Sequence, residues 1–226
     1  MNYIFIGEAG SGKSEIALNA AVYLKHCQDK PVHFFDMDMT KPLFRSRDIA
    51  EQMEAEGITV HFEEQFMDAP TVTGGVNRLL KDSDCCVVMD VGGDHIGARS
   101  IGGFAPLINR EETLVYYVLN SFRVWSGDMD HIDRTLGEIL GVSHIELWRL
   151  HLISNPNLGC GTSAKEALEG NRRMTELVSP YRDVDFMCVK EELVEEVRQK
   201  AGLPVMPLHL YLTYPWMQTQ TLQNNV

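Results

Sequence analysis

Basic residues are scarce in this chain: 20 lysines and arginines stand against 32 aspartates and glutamates, a net charge of −12. Surfaces that coat nucleic acid or dock on anionic membranes need the opposite balance, so nucleic acid is not expected as a partner. No apolar run approaches the roughly 20 residues that a membrane-spanning helix needs. No leader precedes the first apolar run at Tyr3, so a cytoplasmic location without a membrane span is the expectation. Proline- or serine-rich linkers, internal repeats and low-complexity tracts are all lacking. One domain is therefore expected over 1–226, with a core at 1–216 and a polar tail at 217–226. The cysteines number only five, an odd count, with no C-x-x-C among them. They read as reduced, buried thiols of an intracellular protein. Cys85 and Cys86 are adjacent, closer than thiolate ligands usually stand, and a metal shared between them is the lesser alternative.

What is present is a globular composition, 44% hydrophobic and 23% charged, and one distinctive stretch near the start. Gly7-Glu8-Ala9-Gly10-Ser11-Gly12-Lys13-Ser14 fits G-x-x-x-x-G-K-S/T, the phosphate-binding loop of nucleoside triphosphatases. Its context agrees. Tyr3 to Ile6 reads as a short buried strand, and Ile16, Ala17, Ala20, Ala21 and Leu24 recur at helical spacing after the loop. Glycines let backbone N–H groups turn inward around a polyphosphate, and the helix start adds partial positive charge. Lys13 is suited to the β- and γ-phosphates and the Ser14 hydroxyl to Mg²⁺. Glu15 follows in the first helical turn and counts with Gly7 to Ser14 as a candidate nucleotide contact.

The rest of the chain alternates. Pro31 to Phe35 predicts a second strand leading into Asp36-Met37-Asp38; a short helix follows around Ile49 to Met53, stopped by Gly57. Ile58 to Phe62 reads as an edge strand, and Val72 to Leu80 as a helix. Cys85 to Met89 is a buried strand entering Asp90-Val91-Gly92-Gly93, followed by a glycine-rich loop and a helix that reaches Asn109. Leu114 to Leu119 predicts a strand ending at Asn120, and Asp130 a cap for the helix of Ile132, Leu136, Ile139 and Leu140. Leu150 to Ile153 predicts a strand ending near Asn155, and Ser163 with Glu166 a capping box. Val184 to Val189, a helix from Leu193 to Ala201, and a strand from Pro204 to Leu210 complete the series. This order predicts an α/β fold: a single-domain P-loop NTPase whose sheet is mostly parallel, with helices on both faces. Ligands of such sheets bind off the carboxyl ends of the strands. Lys13, Asp36, Asp38, Asp90, Asn120 and Asn155 all fall at that edge.

Asp90 follows an apolar run and precedes two glycines, the place for a carboxylate that holds Mg²⁺ directly or through water. Gly92 would let the backbone approach a γ-phosphate. Asp36 and Asp38 stand two apart past the second strand. One suits orienting the attacking water and the other the Mg²⁺ shell; two solvated loop acids are the plainer alternative.

Taken together, Gly7 to Ser14, Asp36-x-Asp38 and Asp90-Val91-Gly92-Gly93 resemble the MinD/ParA/CobQ-type P-loop ATPases of the SIMIBI class. The resemblance covers most of the first 120 residues. It implies that Asp36 and Asp38 serve water activation and the magnesium shell and that Asn155 contacts adenine. No guanine signature N/T-K-x-D occurs, so ATP is expected over GTP. One departure stands out: the family's loop carries a lysine where this chain has Glu8, and that lysine reaches a partner subunit's phosphates. Without it, homodimer closure on ATP is in question, and Arg45 or Arg47 is a candidate substitute cation unless the two are a solvated helix start. The expected function is a Mg²⁺-dependent ATPase, slow alone, acting as a switch for an unidentified assembly, maturation or positioning partner. The alternatives are a P-loop small-molecule kinase or ATP-dependent ligase, and a non-catalytic nucleotide-binding adaptor.

Overall fold

A computed structural model describes residues 1–38, 45–62 and 71–212, the side chains of 71–74 excepted. The polar tail expected at 217–226 lies outside the described residues. Eight strands form one sheet: β1 (Asn2–Ile6), β2 (Val32–Met37), β3 (Ile58–His61), β4 (Cys86–Val91), β5 (Thr113–Leu119), β6 (Leu150–Ser154), β7 (Val184–Lys190) and β8 (Val205–Leu208). Their order is β3-β2-β4-β1-β5-β6-β7-β8. All described neighbours pair in parallel. The edge position expected for Ile58 to Phe62 is where β3 lies.

Parallel strands need crossovers, and helices supply them. They are α1 (Lys13–Cys27), α2 (Ala50–Ala55), α3 (Thr71–Lys81), α4 (His95–Arg99), α5 (Ala105–Ile108), α6 (Met129–Ser143), α7 (Ala164–Val178) and α8 (Val194–Val197). Side chains alternate across a strand, so each central strand feeds two cores. Ile4 and Ile6 of β1 join Val87, Met89 and Val91 of β4 on one face, under Val76, Leu107, Ile132 and Ile139. Phe5 and Val88 face the other way, with Phe34 and with Ile16, Ala17, Ala21 and Leu24 of α1. The same alternation separates Cys85 from Cys86, which lie in opposite cores, so they cannot share a metal. All five cysteines are free thiols.

Local signals mostly act as expected. Gly57, at φ 80°, takes the left-handed turn past α2. Ser163 and Glu166 form the reciprocal box that opens α7. One cap differs. Asp128, not Asp130, caps α6: its backbone is extended and its carboxylate accepts from His131 N at 2.9 Å. Asp130 already lies in the first helical turn, where its charge suits the dipole but it cannot cap. The helix expected from Leu193 to Ala201 shrinks to α8, preceded by a 3₁₀ turn at Glu191–Leu193. The N–H groups of Lys200 and Ala201 both return to Val197 O and close it early. The helix expected to reach Asn109 is divided into α4 and α5.

Candidate functional site

The loop from Gly7 to Ser14 joins β1 to α1 at the carboxyl edge of the sheet, in the middle of the strand order. Gly7, Gly10 and Gly12 have φ of 144°, 79° and 90°, conformations that need glycine. Gly12 has a second reason: a Cβ there would strike Asn155 Nδ2. Asn155 donates that amide to Ser11 O at 2.7 Å, so β6 props the loop from beneath. In this arrangement one N–H of the Asn155 amide holds the loop; the resemblance had implied a contact to adenine. Lys13 opens α1, is only 3% exposed, and donates from Nζ to Asp38 Oδ2 at 3.3 Å. Ser14 is buried beside it.

Register brings the carboxylates to the loop. β4 lies beside β1 with Asp90 opposite Phe5, and β2 lies beside β4 with Asp36 opposite Asp90. Asp36 is 2% exposed and accepts at both oxygens. Oδ1 takes the Asp38 N–H at 3.0 Å; Oδ2 takes Arg47 N at 3.1 Å and Arg47 Nε at 2.9 Å. Arg47 also donates to Asp38 O at 2.9 Å. Asp36 therefore anchors the segment that follows β2, and of the two aspartates it is Asp38 that reaches the loop lysine. Ser46 Oγ donates to Asp90 Oδ2 at 2.7 Å. Arg45 pairs with Asp48 at 2.7 Å. The two arginines proposed as substitute cations are thus spent on carboxylates.

Gly92 and Gly93 close the other side. A Cβ on Gly93 would lie 2.5 Å from Ala9 N and 2.7 Å from Glu8 C; one on Gly92 would lie 2.8 Å from Gly97 Cα and 3.3 Å from Asp38 Oδ1. Backbone meets backbone here, so the segment after β4 rests directly on the phosphate loop. Among the described residues no three His, Cys, Asp or Glu gather to hold a metal by themselves. Mg²⁺ at a phosphate site is held by one or two protein oxygens together with phosphate oxygens and water. Ser14 and Asp90 are hard oxygen donors of that kind, with Asp38 close to Lys13.

Glu8, expected to face the phosphates, turns away from solvent into the protein. It is 3% exposed, and Oε1 accepts from Ser126 Oγ at 2.5 Å. Burial raises its pKa; the Ser126 bond and the charges of Arg123 and His131 oppose that in part. An unfolded chain ionises this carboxyl near 4.5, and the folded one holds its proton to higher pH. The stability it contributes is complete below the unfolded value and is lost as pH rises through the folded one. Glu8→Gln keeps an acceptor for Ser126 without the charge. It is expected to raise Tm at about pH 8 and to leave it unchanged near about pH 4. Equal Tm values at both pH values would refute the buried-carboxyl account.

Glu15 is the expectation that falls elsewhere. Its carboxylate accepts from the backbone N–H groups of Tyr211 and Leu212, past β8, and so ties down the chain's later segment. Asn120 at the end of β5 braces the neighbouring turn by donating to Asn157 O at 2.9 Å and accepting from Phe122 N at 3.1 Å. Three participants carried no motif: Ser46, Arg123 and Ser126. Arg123 Nε donates to Gly10 O at 3.0 Å, so the turn after β5 grips the loop at two points.

No protein-family model matches the chain, and no curated protein matches it in sequence. Solved structures do match. Chloroplast FtsY from Physcomitrella patens aligns with TM-score 0.50 and 15% identity, over 82% of this chain and 57% of that one. The signal recognition particle receptor FtsY from Elizabethkingia anophelis aligns with TM-score 0.50 and 15% identity, over 85% of this chain and 59% of that one. The chain thus spans less than two thirds of either structure. The likeness is one of fold alone: the P-loop NTPase fold, with its all-parallel sheet and flanking helices.

Proposed function

We propose that this chain binds ATP with Mg²⁺ and acts as a slow, partner-directed nucleotide switch of the MinD/ParA/CobQ type. The observation that carries this reading is the three-way convergence at the loop. Lys13 meets Asp38, Arg47 holds Asp36, and Ser46 holds Asp90. The segment after β2 is thereby fastened to the carboxylates that would sense a γ-phosphate. Phosphate occupancy would reorder those bonds, and hydrolysis would restore them. Lys13 and the loop amides would hold the polyphosphate. Ser14 and Asp90 would hold Mg²⁺, which when bound neutralises phosphate charge. Asp38 would orient the water.

ATP is preferred to GTP in this reading because the chain has no N/T-K-x-D segment to read guanine. No helix among the described residues is long and apolar enough to cross a membrane. A second reading has one specific support: a cleft of about 500 Å³ beside Asp36, lined by Phe35, Val60, His61, Arg78 and Leu79. There a small acceptor could take the γ-phosphoryl group in place of water. One assay addresses both readings. ATP is expected to displace a fluorescent nucleotide better than GTP, and γ-labelled ATP to release its label as free phosphate. Equal displacement would remove the adenine preference, and label appearing on a small molecule would favour the acceptor reading.

A further inference from the structure

The phosphate loop lacks the cation that its family resemblance leads one to seek, and the structure supplies a different one. Arg123 stands on the turn after β5. That turn is closed by hydrogen bonds from Arg123 N to Asn120 O, Ser126 N to Arg123 O and Gly127 N to Val124 O. Asn120 braces its start by accepting from Phe122 N. Glu8 braces its end by accepting from Ser126 Oγ. From this turn the guanidinium reaches across to the loop. Nε donates to Gly10 O at 3.0 Å, and Cζ lies 3.9 Å from where a Gly10 Cβ would stand. Gly10 is exposed, so the guanidinium lies along the open side of the loop.

An arginine carries five N–H donors in a planar fork. The loop carbonyl takes one, and among the described residues Arg123 makes no ion pair, in contrast to Arg45 and Arg47. Its charge also acts on Glu8, but burial shifts that carboxyl toward its neutral form, which leaves the guanidinium to an anion on the loop, and its position is fixed before any anion arrives. Charge set in place before reaction needs no reorganisation to stabilise a charged transition state.

We infer that Arg123 is an arginine finger acting within its own chain, neutralising the charge that develops on the γ-phosphate of a nucleotide held by the loop. This rests on the nucleotide reading above. In the step it assists, a water oxygen bonds to the γ-phosphorus as the bond to the β–γ bridging oxygen breaks. ADP leaves with that oxygen and its electron pair. One water proton stays with the released hydrogen phosphate and the other passes to solvent. Glu8 acts as a positioning residue: it holds the turn that carries the cation, where a lysine at the same place would offer a cation directly.

The test compares wild type, Arg123→Ala and Arg123→Lys by calorimetric binding of ATP, binding of ADP with aluminium fluoride, and single-turnover hydrolysis. Both variants are expected to bind ATP within about threefold of wild type. Both should lose hydrolysis by about 10³-fold or more, the lower end of what such a group is worth, and lose affinity for the aluminium fluoride complex in parallel. Millimolar guanidinium should restore part of the Arg123→Ala rate. Wild-type hydrolysis by Arg123→Ala would overturn the inference. So would equal losses of ATP affinity and of rate, which would make Arg123 a clasp on the loop and nothing more. Wild-type protein that binds no nucleotide at all would overturn the nucleotide reading, and this inference with it.

Discussion

Lys13→Ala is expected to weaken ATP binding by about 1.5–3 kcal/mol, roughly 10- to 150-fold in Kd, the usual worth of a charge-assisted hydrogen bond. The residue is buried at the start of α1, and its ammonium lies 3.3 Å from Asp38. Two consequences of removing it must be kept apart. Loss of the phosphate contact lowers affinity. Loss of the cation beside a buried carboxylate lowers stability, by about 3–5 kcal/mol where both partners are deeply buried. The double variant Lys13→Ala/Asp38→Ala separates them. If Lys13 served only to balance Asp38, removing both charges would restore stability and ATP binding together. A phosphate ligand requires instead that stability return while binding stays lost. Asp38→Ala alone should keep ATP binding, since it leaves Lys13 to the phosphates, and should lose hydrolysis. Thermal unfolding and calorimetry on the three variants decide the matter. Wild-type ATP affinity in either variant lacking Lys13 would end the phosphate-loop account.

The features legible in the sequence were those written in contiguous residues. Gly7 to Ser14 announces itself because a phosphate cradle needs glycines, a lysine and a hydroxyl at fixed offsets. The parallel sheet was legible for a similar reason. β1, β4 and β5 are largely buried and read as apolar runs, with Asp90 near the end of β4 and Asn120 just past β5 marking the carboxyl edge. The Asp128 cap was misassigned because Asp128 and Asp130 are both acceptable by type. The choice rests on which residue has the extended backbone, and only the folded turn settles that.

The site's second layer was illegible because it is made of pairs distant along the chain. Ser126 and Glu8 are 118 positions apart, and Arg123 and Gly10 are 113 apart. Nothing in either local stretch specifies its mate. Glu8 illustrates the cost of reading charge without direction. From sequence it is an acid beside a polyphosphate; in the structure its carboxyl is turned into the protein onto a hydroxyl, and burial favours its neutral form. Asp36 shows the converse. Its spacing from Asp38 marks both as catalytic, yet the Arg47 side chain holds Asp36 as an anchor while Asp38 meets Lys13. A through-space pattern could still have been sought: in a parallel sheet of this order the turn after the strand beside β1 leaves at the same edge as the loop, so an arginine and a serine there were candidates to meet it.

Gly93→Ala should damage both stability and function. The new Cβ would stand 2.5 Å from Ala9 N and 2.7 Å from Glu8 C. Both are backbone atoms, so no side chain can swing aside. Either the segment after β4 retreats or the phosphate loop moves, and the two carry opposite halves of the site. Overpacking of this kind costs about 1–3 kcal/mol, a fall in Tm of about 2–12 °C for a domain of this size. The functional loss should exceed the stability loss, because a displacement of about 1 Å at a reacting centre is worth about 10²-fold in rate. Gly103→Ala is the matched control. It lies in a 3₁₀ turn with nothing within 4 Å of its Cβ position and without a positive φ, so it should leave Tm and hydrolysis near wild type. The measurement is Tm together with single-turnover hydrolysis for both variants. If Gly93→Ala matched Gly103→Ala in both, the segment after β4 would not rest on the phosphate loop in solution, and γ-phosphate sensing through Gly92 and Gly93 would have no physical basis.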